Sequence, residues 1–140
     1  MKKIYIASDH AGFKLKNIIL SKLSKNKKII DLGPNSNVSV DYPDYAKKLS
    51  KKIASDKGSL GILICGSGMG MAITANKIKN VRAALCYSNK NTKLSRLHNN
   101  ANIITLGERL ISKNKAINLI KIFLSTKFEG GRHLRRIKKI

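Results

Sequence analysis

The chain is short of several things at once. Tryptophan is absent from its 140 residues, and cysteine and proline occur twice each. Two cysteines exclude a disulfide framework for a chain of this size, and their spacing matches no zinc pattern. A reducing cytoplasm is therefore the expected compartment. No apolar run approaches the ~18 residues of a membrane span. The start, Met1-Lys2-Lys3-Ile4-Tyr5-Ile6-Ala7, is interrupted by Ser8, Asp9 and His10 before it reaches the length of a signal-peptide core. Acidic residues are also scarce, 7 against 29 Lys and Arg, which leaves a formal charge of +22.

Such a charge invites a nucleic-acid partner. Four tyrosines and three phenylalanines, however, offer few platforms for stacking bases. The excess is mostly lysine, spread from end to end, and Ile and Asn are abundant, as an AT-rich coding sequence favours. No dedicated nucleic-acid role is expected. A positive field still draws a phosphorylated metabolite toward a cleft.

What is present is a strand–helix alternation over one domain, residues 1–140, long enough to bury roughly 70% of its unfolded surface. Strands are expected over Lys3–Ala7, Lys28–Leu32, Leu60–Cys65, Val81–Leu85 and Asn102–Leu106. After the first strand, Phe13, Leu15, Ile18, Ile19 and Leu23 recur at helical spacing, with lysines on the other face. Asp44 is the expected cap of a helix carrying Ala46, Leu49 and Ile53. Met69–Ile78 and Asn89–His98 read as helices. Ala116, Ile117, Ile120, Phe123 and Leu124 mark another, and Gly130–Ile140 a last short one. The alternation predicts an α/β fold, a three-layer α/β/α Rossmann-like domain on a five-stranded parallel sheet. Ligands then bind past the carboxyl ends of the strands, at the switch point.

The chemistry concentrates in Ile62-Leu63-Ile64-Cys65-Gly66-Ser67-Gly68-Met69-Gly70-Met71. A buried strand that runs into a glycine turn and a helix start aims several backbone N–H groups at one point. That point suits a phosphate, a carboxylate or a developing oxyanion, and a cysteine at its edge is a candidate base or nucleophile. Cys86 also ends a strand but precedes no glycine turn, so a structural role is expected for it. A phosphatase loop of the Cys-x5-Arg kind is excluded by Met71. The spacing Gly66-x-Gly68-x-Gly70 is not the dinucleotide fingerprint. Asp9 and His10, just after the first strand, fall beside Cys65 if strands one and three are neighbours. Ser8 or Asp9 equally suits a helix cap there. Arg132 and Arg136 are four apart and share a helix face, a candidate phosphate clamp or a solvated basic tail.

Taken together, these segments resemble type B ribose-5-phosphate isomerase, in the family shared with galactose-6-phosphate isomerase. The residues that carry the likeness run in order through the chain. They are Ser8-Asp9-His10-Ala11-Gly12-Phe13, Asp41-Tyr42-Pro43, Ile64-Cys65-Gly66-Ser67-Gly68-Met69-Gly70 and Ala75-Asn76-Lys77. They continue in Val81-Arg82-Ala83, Leu94-Ser95-Arg96-Leu97-His98-Asn99, Gly107-Glu108-Arg109 and Glu129-Gly130-Gly131-Arg132-His133.

The resemblance implies an isomerase of the non-oxidative pentose phosphate pathway, free of metal and cofactor, that interconverts ribose 5-phosphate and ribulose 5-phosphate through an enediolate. It implies Cys65 as the base, Ser67 in the hydroxyl proton exchange, and His98, from a partner subunit, in opening the furanose ring. Asp9 and Tyr42 would lie by the sugar, and the amides of Gly66, Gly68, Met69 and Gly70 would hold the enediolate oxygen. By the same likeness His10, Arg132 and Arg136 hold the phosphate, and Asn99 and Arg109 arrive from the neighbouring chain. A homodimer or a dimer of dimers with a shared site is implied. Galactose-6-phosphate isomerase subunits lack the His98-Asn99 and Gly-Gly-Arg-His segments, which favours the pentose. Hexose phosphates such as allose 6-phosphate stay open as side substrates. The reading from another class is a non-catalytic phosphosugar sensor or a basic protein that binds nucleic acid, which turnover under conditions where nucleic acid neither binds nor inhibits would exclude.

Overall fold

The structure is a computed structural model that describes residues 2–140. Five strands and six helices follow one another as β1 (Ile4–Ser8), α1 (Phe13–Leu23), β2 (Ile29–Asp31), α2 (Tyr42–Ser55), β3 (Leu60–Cys65), α3 (Met69–Ala75), β4 (Ala83–Leu85), α4 (Asn89–Leu97), β5 (Ile103–Gly107), α5 (Lys113–Ser125) and α6 (Arg132–Ile137). All pairings are parallel, in the order β2-β1-β3-β5-β4. The predicted α/β class and five-stranded parallel sheet are thus found.

Side chains alternate across each strand, and the two faces receive different helices. Ile4, Ile6, Leu60, Ile62 and Ile64 pack with Leu15, Ile19 and Leu23 of α1 and with Ala116, Leu119, Ile120 and Phe123 of α5. Tyr5, Ala7, Leu63 and Cys65 face the other way, onto Ala46, Leu49 and Ile53 of α2 and Met71 and Ala75 of α3. Each of the buried Leu and Ile side chains contributes roughly 1.5–3 kcal/mol of transfer free energy. The core therefore forms on both faces at once, and the sheet ends are left for chemistry.

Several boundaries differ from the sequence expectation for local reasons. Asp44 lies inside the first turn of α2, because Asp41 takes the N-cap position and Pro43, just behind it, is pre-set for a helix start. Asn76 ends α3 early: its amide exchanges hydrogen bonds with Ala83, 2.9 Å to the carbonyl and 2.8 Å from the N–H. β4 begins at Ala83 because the Arg82 N–H is taken by the Asn102 side chain at 2.8 Å.

One lysine leaves the solvated face expected for it. Lys16 is fully buried, and its ammonium donates to both Asp31 oxygens (2.8 and 2.9 Å) and to the Pro34 carbonyl (2.7 Å). It ties α1 to the end of β2 and to the turn beyond. Gly33 in that turn accepts from Ser8 N–H at 3.1 Å, so the anchor reaches the segment that carries Asp9.

Candidate active site

The strand order reverses between β1 and β3, since the chain leaves β1 outward to β2 and returns to the other side. That switch point opens a crevice past the carboxyl ends of both strands. Ser8 pairs with Ile64 in register, so Asp9 and Cys65 emerge side by side. An open cleft of about 340 Å³ lies there, lined by Asp9, Tyr42, Cys65, Gly66, Ser67, Gly70, Arg109 and Leu110.

The turn after β3 forms the floor. Gly68 N–H donates to Cys65 Sγ at 3.1 Å, and Met69 N–H donates to Ser67 Oγ at 3.2 Å. Gly68 holds φ +77°, a left-handed conformation that glycine adopts without strain. A Cβ there would meet Leu85 Cδ1 at 2.7 Å and the Leu106 backbone at 2.9 Å. At Gly70 a Cβ would run into the Tyr42 ring, so that ring rests directly on the helix start. Backbone amides and a sulfur thus share one small surface, the arrangement suited to a base beside an oxyanion cradle.

The walls come from β1, α2 and β5. Asp9 is buried, and one of its carboxylate oxygens accepts from Gly12 N–H at 3.0 Å, which fixes the group at the mouth of α1. Arg109 follows β5, and its backbone N–H donates to the Gly66 carbonyl at 3.0 Å. Its guanidinium lies over Gly66, where a Cβ would come within 2.8 Å of Nη1. Arg109 therefore belongs to the cleft of its own chain. The expectation placed it in a neighbour's cleft; within one chain β5 pairs with β3 and sets the two loops against each other.

His10 is outside this cleft. Its Nδ1 sits 3.1 Å from the Val40 carbonyl and 3.2 Å from the Val40 N–H, able to serve one or the other according to tautomer. It lines a neighbouring groove with Phe13, Lys14 and Asn17. The Met69 side chain points outward, and with Ile73, Tyr87 and Leu110 it leaves exposed apolar surface on α3 and the loops after β4 and β5. Cys86 is buried in the α1–α5 core, and burial pushes its thiol up.

His98, Asn99, Arg132 and Arg136 are at the opposite end of the molecule. Ser88 caps α4 just past the carboxyl end of β4, and the helix then runs back about 14 Å along the sheet. His98 ends it at the amino edge, where Arg82 Nε donates to the carbonyls of Asn99 (3.1 Å) and Asn100 (3.0 Å). The C-terminal segment joins there, Glu129 N–H donating to the Leu97 carbonyl at 3.1 Å. A helix that follows a strand in a parallel sheet always returns to the other edge, so no one chain unites His98 with its own Cys65. Arg132 and Arg136, both exposed on α6, travel with His98, and the clamp expected for them is likewise not in their own chain's cleft.

At that edge the rings of His98 and His133 stack with centroids 4.2 Å apart and 13° between planes. The two Nε2 atoms face Glu129, at 3.8 and 3.9 Å. Burial lowers the proton affinity of His133, as do His98, Arg132 and Arg136, while Glu129 opposes them. Sequence reasoning assigned no role to Glu129 or His133, although their spacing of four was the available signal.

Fold and cleft together define a class: a doubly wound α/β protein with a cysteine set on an amide-lined turn at the switch point. Within that class the chain belongs to the ribose/galactose isomerase family, whose model matches residues 4–140. The ribose-5-phosphate isomerase B of Escherichia coli is 38% identical over 141 residues, which cover 100% of this chain and 95% of that one. The solved ribose 5-phosphate isomerase of this type from Thermotoga maritima has a TM-score of 0.94 at 50% identity, covering 99% of this chain and 96% of its own. Ribose-5-phosphate isomerase B from Mycoplasma genitalium, solved with bound ribulose-5-phosphate, gives 0.93 at 46% identity, with 98% and 92% covered.

Proposed function

We propose that the protein interconverts D-ribose 5-phosphate and D-ribulose 5-phosphate by proton transfer through an enediolate. The observation that carries the reading is the Cys65 sulfur, 3.1 Å from the Gly68 amide and in one cleft with Asp9, Tyr42 and Arg109. A relative solved with ribulose-5-phosphate supports the choice of sugar.

In the open-chain aldose the Cys65 thiolate takes the proton from C2, and the electron pair moves to the carbonyl oxygen at C1. The resulting enediolate oxygen is held by the N–H groups of the turn from Gly66 to Gly70, donors already in place before charge develops. Ser67 relays the hydroxyl proton between O2 and O1. The Cys65 thiol then returns its proton to C1, which yields the ketose and restores the thiolate. Asp9 and Tyr42 orient the hydroxyls. Arg109, whose planar fork suits a phosphate or a polarised sugar oxygen, supplies positive charge in the same chain.

Ring opening and phosphate anchoring need groups the cleft lacks. The reading is that a second copy of the chain supplies them in a homodimer or dimer of dimers. His98 of the partner subunit acts as acid and base on the ring oxygen, with Asn99, Arg132 and Arg136 on the distal sugar and phosphate, and His10 at the margin. Exposed Met69, Ile73, Tyr87 and Leu110 beside the cleft favour such an assembly. No helix of the described residues is long and apolar enough to cross a membrane, and both cysteines are free thiols, compatible with the cytoplasm.

A coupled assay with ribose 5-phosphate tests the proposal. Cys65→Ala is expected to lower turnover by about 10²–10⁴-fold while leaving substrate binding nearly intact. Near-normal turnover in that variant refutes the base assignment, and no turnover in the unaltered protein refutes the reaction.

A further inference from the structure

We propose that His98, Glu129 and His133 form a binding site for a borderline divalent metal ion, with Zn²⁺ as the type, and that its occupation inhibits turnover. The second half rests on the reading of His98 under the proposed function. The first half stands on geometry alone.

One nitrogen or oxygen from each of the three residues lies within 4.8 Å of the others. The two separations from Glu129, 3.8 and 3.9 Å, are too long for hydrogen bonds. They are close to the roughly 3.4 Å between two ligands on one tetrahedral zinc, and the set closes when the half-exposed His98 ring turns out of its stack on His133, so that both in-plane lone pairs meet at one ion. His133 Nε2 is buried and has no hydrogen-bond partner, an orphaned lone pair or N–H that nothing among the described residues satisfies.

The backbone holds the three in place. His98 is the C-cap of α4, Glu129 is tied to Leu97, and His133 N–H bonds to the Gly130 carbonyl at 3.2 Å. The stack itself is the arrangement without an ion, and binding exchanges it for two metal–nitrogen bonds. Two imidazoles and one carboxylate prefer Zn²⁺, Co²⁺, Ni²⁺ or Cu²⁺ over Mg²⁺ and Ca²⁺, which want oxygen ligands. Three protein ligands leave a fourth position for water or a sugar oxygen. Arg132 and Arg136 flank the site and repel a cation, which limits its affinity. A metal on Nε2 takes the lone pair that His98 needs as a base.

Chelator-treated full-length protein titrated calorimetrically with ZnCl₂, in a buffer that does not bind metal, reads the site without substrate. The expected result is one Zn²⁺ per chain and no heat with MgCl₂. Glu129→Gln and His133→Asn each weaken binding by about tenfold or more. Glu129 is half exposed, so Glu129→Gln folds even where His133→Asn does not. Cys65→Ala binds Zn²⁺ as the unaltered chain does. No binding, binding indifferent to Glu129→Gln, or binding lost with Cys65→Ala each overturns the site. In the isomerase assay Zn²⁺ is expected to inhibit the unaltered protein at least about tenfold more strongly than Glu129→Gln. Equal inhibition overturns the second half while the calorimetric result stands, and a failed isomerase assay leaves the metal titration readable.

Discussion

Gly68→Ala tests the turn that holds Cys65, and its cost divides into parts that can be measured apart. The residue sits at φ +77°, where a Cβ costs about 1–2 kcal/mol by itself. The added methyl would also meet Leu85 Cδ1 at 2.7 Å and the Leu106 carbonyl carbon at 2.9 Å. The second of these is backbone and cannot swing away, so overpacking adds about 1–3 kcal/mol. The sum is roughly 2–5 kcal/mol, and at 2–4 °C per kcal/mol the melting temperature falls by about 4–20 °C.

Gly58→Ala isolates the first part. Gly58 has φ +85° but nothing within 4 Å of its would-be Cβ, so about 1–2 kcal/mol is expected there and no more. Both variants are compared by thermal and urea unfolding and by the isomerase assay. Relaxation of the clash moves the Gly68 N–H away from Cys65 Sγ, and removing one such donor lowers kcat by about 10²–10³-fold. Gly58→Ala keeps full turnover. Equal destabilisation of the two variants refutes the packing argument. Unchanged kcat in a folded Gly68→Ala protein refutes the role of the turn.

Three further outcomes are expected. Lys16→Ala leaves the Asp31 carboxylate without its buried partner and costs about 3 kcal/mol in urea unfolding, somewhat less than a fully buried pair because Asp31 is a third exposed; a change under 1 kcal/mol contradicts the anchoring role. Mixing Cys65→Ala with His98→Ala subunits regains activity, since one site then holds both groups, and no rescue despite proven subunit exchange rules out a shared site. The Cys86 thiol, pushed up by burial, stays protonated and unreactive at pH 8. Peptide mapping after iodoacetamide is expected to find it alkylated only in denaturant, and labelling in the native protein contradicts its placement in the core.

Much of this was legible in the residues, because it depends on neighbours along the chain. Periodicity at Leu15, Ile19 and Leu23 found the buried face of α1, and the unbroken apolar run Leu60–Cys65 found β3 with its bounds. The run from Cys65 to Gly70 announced a strand, a turn and a helix start, and so a sulfur among amides. Lys16 was misread for the converse reason. Its helical position borders the arc of Leu15, Ile19 and Leu23, with Lys14 nearly opposite, but only Asp31, brought up by β2, makes its burial favourable.

The sequence by itself determined the order of elements, the apolar faces and the chemistry of the turn after β3, all set by local sterics and by burial of apolar surface. Tertiary structure alone decided which chain ends meet. Pairing of β1 and β5 with β3 put Asp9 and Arg109 beside Cys65, while the return of α4 carried His98 to the far edge with Glu129 and His133. Strand order is a contest among long-range pairings of similar energy, and no spacing along the chain records its winner.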